Sequence, residues 1–156
     1  MPTKHEIDQL MSRLAAAPAR FAAALVRLDD ADSVTSSRPG EWSAAEILAH
    51  IRASHAILEP RIYQILVRDD PPLVAFDDRR WADVARYVML PIIDSIEVMR
   101  LQRKELMYAL RALSPSDWER TGTHEVSGPQ TLFQIASHIA NHDDEHCAQI
   151  ERSSRA

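Results

Sequence analysis

The stretch GPQTLFQIASHIANHDDEHCAQI, residues 128–150, sets the fold class. Leu132, Ile135, Ile139 and Ile150 recur at the spacing of one helix face, and Gly128-Pro129 stands ahead of them as a break. Thr131 followed by Gln134 is a capping box, which satisfies two amide groups left unpaired at a helix start. The same helix carries His138, His142 and His146, each one turn from the next, where leucine would gain more from burial. Helical geometry breaks their equivalence. With Ile139 as reference, His146 lies about 20° from the buried stripe, His142 about 60° and His138 about 100°. Asp143 turns inward by about 40° on the other side. His142 and His146 are about 6 Å apart along the axis and can share an ion, whereas His138 and His146 are about 12 Å apart. Two ligands can come from this helix, and a third has to come from elsewhere.

The rest of the chain reads as helix too. Glycine occurs only three times, and no stretch alternates apolar and polar residues for long, so strands and hairpins are not expected. Capping boxes at Thr3–Glu6 and Ser43–Glu46 open two further helices, expected to reach about Asp29 and Val67. Their apolar stripes are Ile7, Leu10, Leu14, Phe21, Leu25 and Leu28, then Ala44, Ile47, Ile51, Ser54, Leu58 and Ile65. Pro18 and Pro60 are expected to kink or break them. A third long helix lies between Trp81 and Leu113, with Pro91 as a kink or as its true start. Its seam of Ile92, Ile96, Met99, Arg103, Leu106 and Leu110 has the near-heptad spacing of a bundle. The segments DDADSVTSSRPGEW and GTHEVSGP read as loops, and Ser114–Asp117 as a short helical turn. The expectation is an all-α four-helix bundle, one domain over residues 1–156.

Composition narrows the function classes. A net charge of −5 with no basic patch excludes a nucleic-acid partner. No run of about 18 apolar residues offers a membrane span, and the first residues lack the apolar core of a signal peptide. The single cysteine, Cys147, rules out an internal disulfide framework and fits a reducing cytoplasm.

The third ligand is found on the second helix. In WSAAEILAHIRASH, His50 lies about 60° from the Ile47 direction, at the edge of the apolar stripe. His55 is rotated further, beside Arg52 and Glu59, and reads as solvent-facing; His5 and His124 fall near a terminus and in a loop. Direction and company therefore select His50, His142 and His146. Three imidazoles on a divalent ion leave positions open for water or substrate, as catalytic zinc sites do. Hydrogen-bonded imidazoles with no metal meet the same pattern. Zinc and nickel both suit imidazole.

Arg61 and Arg103 fall on apolar stripes. Each either binds a carboxylate of a substrate or low-molecular-weight thiol, or packs its stem on the core with the head in water. Asp143 is a base toward metal-bound water, an acceptor that orients an imidazole, or half of an interhelical ion pair. Cys147 is expected to be a small buried hydrophobe rather than a nucleophile. Trp42, Trp81 and Trp118 are expected to anchor packing.

The pairing of EWSAAEILAHI with GPQTLFQIASHIANHDDEHCAQI resembles the DinB-like superfamily of small four-helix metalloproteins, over residues 41–150. The resemblance implies an up-down-down-up bundle with a divalent metal, zinc or nickel, on His50, His142 and His146. His138 then matches the family's additional histidine, as a flank residue or a donor to the ligands. Activity as a thiol S-transferase, isomerase or related metal-dependent enzyme such as a hydrolase is implied, with a small-molecule substrate or low-molecular-weight thiol as partner, and a homodimer. The alternative is a non-catalytic, stress-related metal-binding or interaction protein.

Overall fold

A computed structural model describes residues 1–26, 33–36 and 39–153; the expected end of the first helix beyond Val26 and part of the following loop lie outside these. The elements in chain order are α1 (Lys4–Leu25), α2 (Ala44–Val67), β1 (Pro72–Leu73), α3 (Asp78–Ala85), a 3-10 turn at Tyr87–Met89, α4 (Ile92–Arg111), a 3-10 turn at Asp117–Glu119, β2 (Thr121–His124), β3 (Gly128–Thr131) and α5 (Leu132–Ser153). The four long helices α1, α2, α4 and α5 form the bundle.

All three capping boxes form. Glu6 N donates to Thr3 Oγ1 at 3.2 Å, Glu46 N to Ser43 Oγ at 3.2 Å, and Gln134 N to Thr131 Oγ1 at 3.1 Å, with the reciprocal bond present in each case. α1 and α2 run unbroken through Pro18 and Pro60. A proline costs a helix one backbone hydrogen bond and some local strain; Pro18 is buried and Pro60 exposed. Pro91 is the N-cap of α4, hence a true start.

Two layers of core fix the helix directions. One contains Phe21 and Leu25 from the end of α1, Ile47 and Ile51 from the start of α2, Met99 of α4, and Cys147 and Ile150 from the end of α5. The other contains Leu10 and Leu14, Leu58 and Ile65, Leu106 and Leu110, and Leu132, Ile135 and Ile139. So α1 and α5 run one way and α2 and α4 the other, in chain order up-down-down-up. Asp144 of α5 ties the parallel pair: Arg13 Nε donates to its Oδ2 at 2.8 Å, and Arg20 grips Oδ1.

The strands depart from expectation. GTHEVSGP does not form a plain loop but the turn of a hairpin: β2 and β3 pair antiparallel from Thr121↔Thr131 to His124↔Gly128, and β1 joins β2 in parallel. Strands of two to four residues are too short to show alternation in sequence. Backbone geometry favours them instead. Gly128 takes φ +73, open to glycine, and a Cβ on Gly122 would stand 3.0 Å from Pro71 O and from Leu73 Cγ.

Candidate metal centre

The midsection of α2 has the structural consequence that matters for the site. Ala49 and Ala53 let Ala82 of the short α3 close on one side of it, while Ile47, Ile51 and Leu58 face the bundle. His50 lies between those faces, pointing toward α5. Two turns of α5 meet it there.

His50 Nε2 stands 2.9 Å from His142 Nε2. His146 completes the cluster, with one ligand atom from each residue lying within 4.8 Å of the others. Ring centroids are 4.8 Å apart for His50–His142, 4.9 Å for His50–His146 and 4.5 Å for His142–His146. His146 Nδ1 lies 3.0 Å from Gln149 Oε1, so its proton belongs there and the Nε2 lone pair is left for the cluster. Trp42 roofs the group, stacked on His146 at 6.1 Å and edge-on to His50 at 5.0 Å.

The donor set suits a divalent cation. Burial first, then the neighbouring His146 and His50, hold the His142 imidazole down to about 3. Burial likewise lowers His50, against the pull of Asp78. Imidazoles that resist protonation present lone pairs at neutral pH. Nδ1 of His50 and Nδ1 of His142 are buried without a hydrogen-bond partner among the described residues. Asp78 Oδ2, fixed by Ser54 Oγ at 3.1 Å, comes to 3.4 Å from His50 Nδ1 without forming that bond. An ion at the cluster would take the facing Nε2 lone pairs and leave these Nδ1 atoms to carry the ring protons.

His138 is exposed, with its ring 6.1 Å from that of His142. It borders a cleft of about 480 Å³ that His50, His142, Ser54, Phe76, Asp78, Arg61 and His124 also wall. A separate hollow of about 430 Å³ between α1 and α4, bounded by Ala15, Pro18, Met107 and Tyr108, contains none of these histidines.

Asp143 and Arg103 lie elsewhere. Asp143 is 1% exposed, and its two oxygens are taken by His55 Nε2 at 2.8 Å and Arg103 Nη2 at 2.8 Å. Burial alone would raise its carboxyl, but the charges and hydrogen bonds of His55 and Arg103 bring it below the ordinary value. This is the interhelical ion pair, with no free oxygen for a base. Arg103, 2% exposed, also donates to Leu14 O at 2.8 Å, so its head is neither in water nor open to a substrate. His55 corrects the sequence reading outright: it is 2% exposed rather than solvent-facing. Its i, i+4 partner Glu59, also buried, was the available signal, since two polar residues on a helix apolar nearly all round have to face each other's company. Trp42 does more than anchor packing, since its ring lies against His50 and His146. Trp118 is buried against Phe133, and Trp81 is partly exposed beside Phe76. Cys147 is 1% exposed, and burial pushes its thiol up to about 11.

Residues 13–150 match the sequence model of the DinB superfamily. A protein of Oceanobacillus iheyensis named "putative metal-dependent hydrolase" is 27% identical over 144 residues, covering 92% of this chain and 83% of that one. One of the same name from Halalkalibacterium halodurans is 24% identical, covering 95% and 86%. Among solved structures, YfiT from Bacillus subtilis, described as "a probable metal-dependent hydrolase with an unusual four-helix bundle topology", superposes with a TM-score of 0.91 at 21% identity, over 99% of this chain and 89% of that one. The mycothiol-dependent maleylpyruvate isomerase gives 0.74 at 14% identity, over 96% of this chain but 63% of that one. Both likenesses are of fold.

Proposed function

The chain belongs to the DinB superfamily, and on that premise we propose that it is a metal-dependent enzyme acting on small molecules, with His50, His142 and His146 holding one zinc or nickel ion. The observation that carries this is the convergence of three imidazoles from two helices, with ligand atoms within 4.8 Å. A cation so held supplies charge that lowers the pKa of a water or thiol brought to it. The chain's own residues bind and orient. His50 and His142 stay neutral through burial, and Gln149 fixes the tautomer of His146. Trp42 shields that side of the cluster from water, and the cleft beside His138 receives the substrate.

The nucleophile comes from outside the chain, because Cys147 is buried with its thiol up at about 11. We take it to be a low-molecular-weight thiol, making the reaction a thiol S-transfer or isomerisation; the mycothiol dependence of a structural neighbour supports this. Water as nucleophile is the second reading, supported by the name that the relatives carry.

Metal analysis of protein purified without an affinity tag tests the site: one ion per chain is expected, lost in His50→Ala and His146→Ala. A screen of metal-loaded protein against thiols with electrophiles, and against esters and amides, tests the chemistry. Turnover no higher than in His142→Ala would leave a non-catalytic metal protein.

A further inference from the structure

The cleft beside the histidines extends away from them. On α2 its wall passes from His50 through Ser54 and Leu58 to Arg61, about 16 Å along the axis. At that far part a second hollow of about 500 Å³ continues it, sharing Leu58, Arg61, His124, Ser127 and His138. Its outer wall is the β2–β3 hairpin.

Arg61 is 9% exposed, and its guanidinium has five N–H donors. Nη2 donates to Val74 O at 2.7 Å, while Nε is buried with no partner among the described residues. Among the described residues no carboxylate forms an ion pair with it. Glu125, whose charge acts on Arg61, accepts from Ala75 N at 2.8 Å. The tautomer of His124 is fixed by its own turn: Nδ1 accepts from Val126 N at 3.2 Å and Ser127 N at 3.1 Å, which places the ring proton on Nε2. The Arg61 side chain, with one guanidinium N–H unpaired, and the His124 imidazole N–H thus wall one cleft. Asp78 is the acidic residue in its wall, at the His50 part rather than at Arg61.

We propose that Arg61 and His124 form a carboxylate subsite, so that the molecule whose reacting atom meets the three histidines is a small organic acid with its carboxylate several bonds away. The proposal rests on the metal-centre reading for the place of the reacting atom, but the anion subsite itself does not need the metal. The acid is either the thiol or the electrophile; both share this chemistry.

The test uses a matched pair of probes, 6-mercaptohexanoate and neutral 6-mercapto-1-hexanol, with mercaptoacetate as a charged probe too short to reach Arg61. Binding is read from the visible spectrum of the cobalt-loaded protein. The hexanoate is expected to bind about tenfold tighter than the alcohol in the native protein. Arg61→Gln should abolish that preference and leave mercaptoacetate unchanged, with Arg61→Lys, which keeps the charge but not the fork, falling between. Equal binding of the pair to native protein, or a preference that survives Arg61→Gln, would overturn the subsite. A second arm serves in case cobalt or thiol fails to bind, which would count against the metal centre alone. There the hexanoate is titrated into metal-free protein and the side-chain N–H signals of Arg61 and His124 are followed by NMR. Saturable shifts, absent with the alcohol, uphold the subsite; no shift defeats it.

Discussion

His55 Nε2 and Asp143 Oδ1 meet at 2.8 Å in the middle of the bundle, both side chains almost wholly buried. Arg103 takes the other oxygen of Asp143 and reaches on to Leu14 O. One carboxylate therefore joins α2 and α4 to α5 immediately after His142, and Arg103 adds α1. Breaking a buried pair from one side leaves an uncompensated charge, at a cost of about 3–5 kcal/mol, whereas replacing both partners by apolar residues of similar size is often neutral. Asp143→Leu should lower the Tm by about 10 °C or more, and the double variant Asp143→Leu/Arg103→Met should recover most of that. Thermal unfolding of both checks it. A double variant as unstable as the single one would mean that packing, not charge, fails at this position.

Glu59 tests the same network through pH. Burial raises its carboxyl above the ordinary value of 4.5, in spite of His55 and Arg103. The folded chain then keeps a proton that the unfolded chain has released, so this residue withdraws stability as pH rises from the unfolded value through the folded one. Glu59→Gln removes that titration. Urea unfolding should show the variant gaining on the native protein between pH 5 and pH 8; a native protein that gains instead would contradict a raised Glu59.

Much of the bundle was legible because its signals are local. Capping boxes and a 3.6-residue apolar period depend on neighbours in sequence, and each marked its helix start correctly at Thr3, Ser43 and Thr131. The directions of His50, His142 and His146 followed from the same period. His55 was misjudged because the inward face of α2 is wider than a single apolar stripe: it extends to where Asp143 of α5 and Arg103 of α4 meet the imidazole. The hairpin was missed because its strands are held by a close backbone approach at Gly122 and by β1, some fifty residues earlier, and long-range pairing leaves no periodic trace.

That close approach makes Gly122 the sensitive point of the cleft wall. An alanine there would press its Cβ on Pro71 O and Leu73 Cγ at 3.0 Å and Ile65 Cγ1 at 3.1 Å, and the backbone oxygen cannot rotate away. Gly122→Ala should cost about 2–3 kcal/mol in denaturant unfolding, clearly more than an alanine at Gly128. Gly128→Ala, at φ +73 but with open space around it, should cost about 1 kcal/mol. Equal costs would show that β1 is not packed on the hairpin as described.

Cys147 should be silent in the folded protein. Its Sγ is buried, with Glu151 Oε1 3.7 Å away as acceptor, and thiolate is scarce while the thiol sits at about 11. A thiol reagent at pH 8 should label it at the rate of unfolding, and Cys147→Ser should retain full metal content. Rapid stoichiometric labelling of native protein would return the cysteine to contention as a nucleophile.

Metal loading should be visible both in stability and at Trp42. A ligand at about a thousand times its Kd stabilises the folded state by about 4 kcal/mol when the unfolded chain does not bind it. Nickel or zinc should therefore raise the unfolding midpoint of metal-free protein, and His50→Ala should abolish the rise. Trp42 stacks on His146 at 6.1 Å, so paramagnetic nickel should quench its emission while zinc leaves it bright. In Trp42→Phe the remaining tryptophans should show little quenching, since neither Trp81 nor Trp118 has a ring contact with the three histidines. Stabilisation by nickel that persists in His50→Ala would place the ion away from the cluster, whatever the emission does.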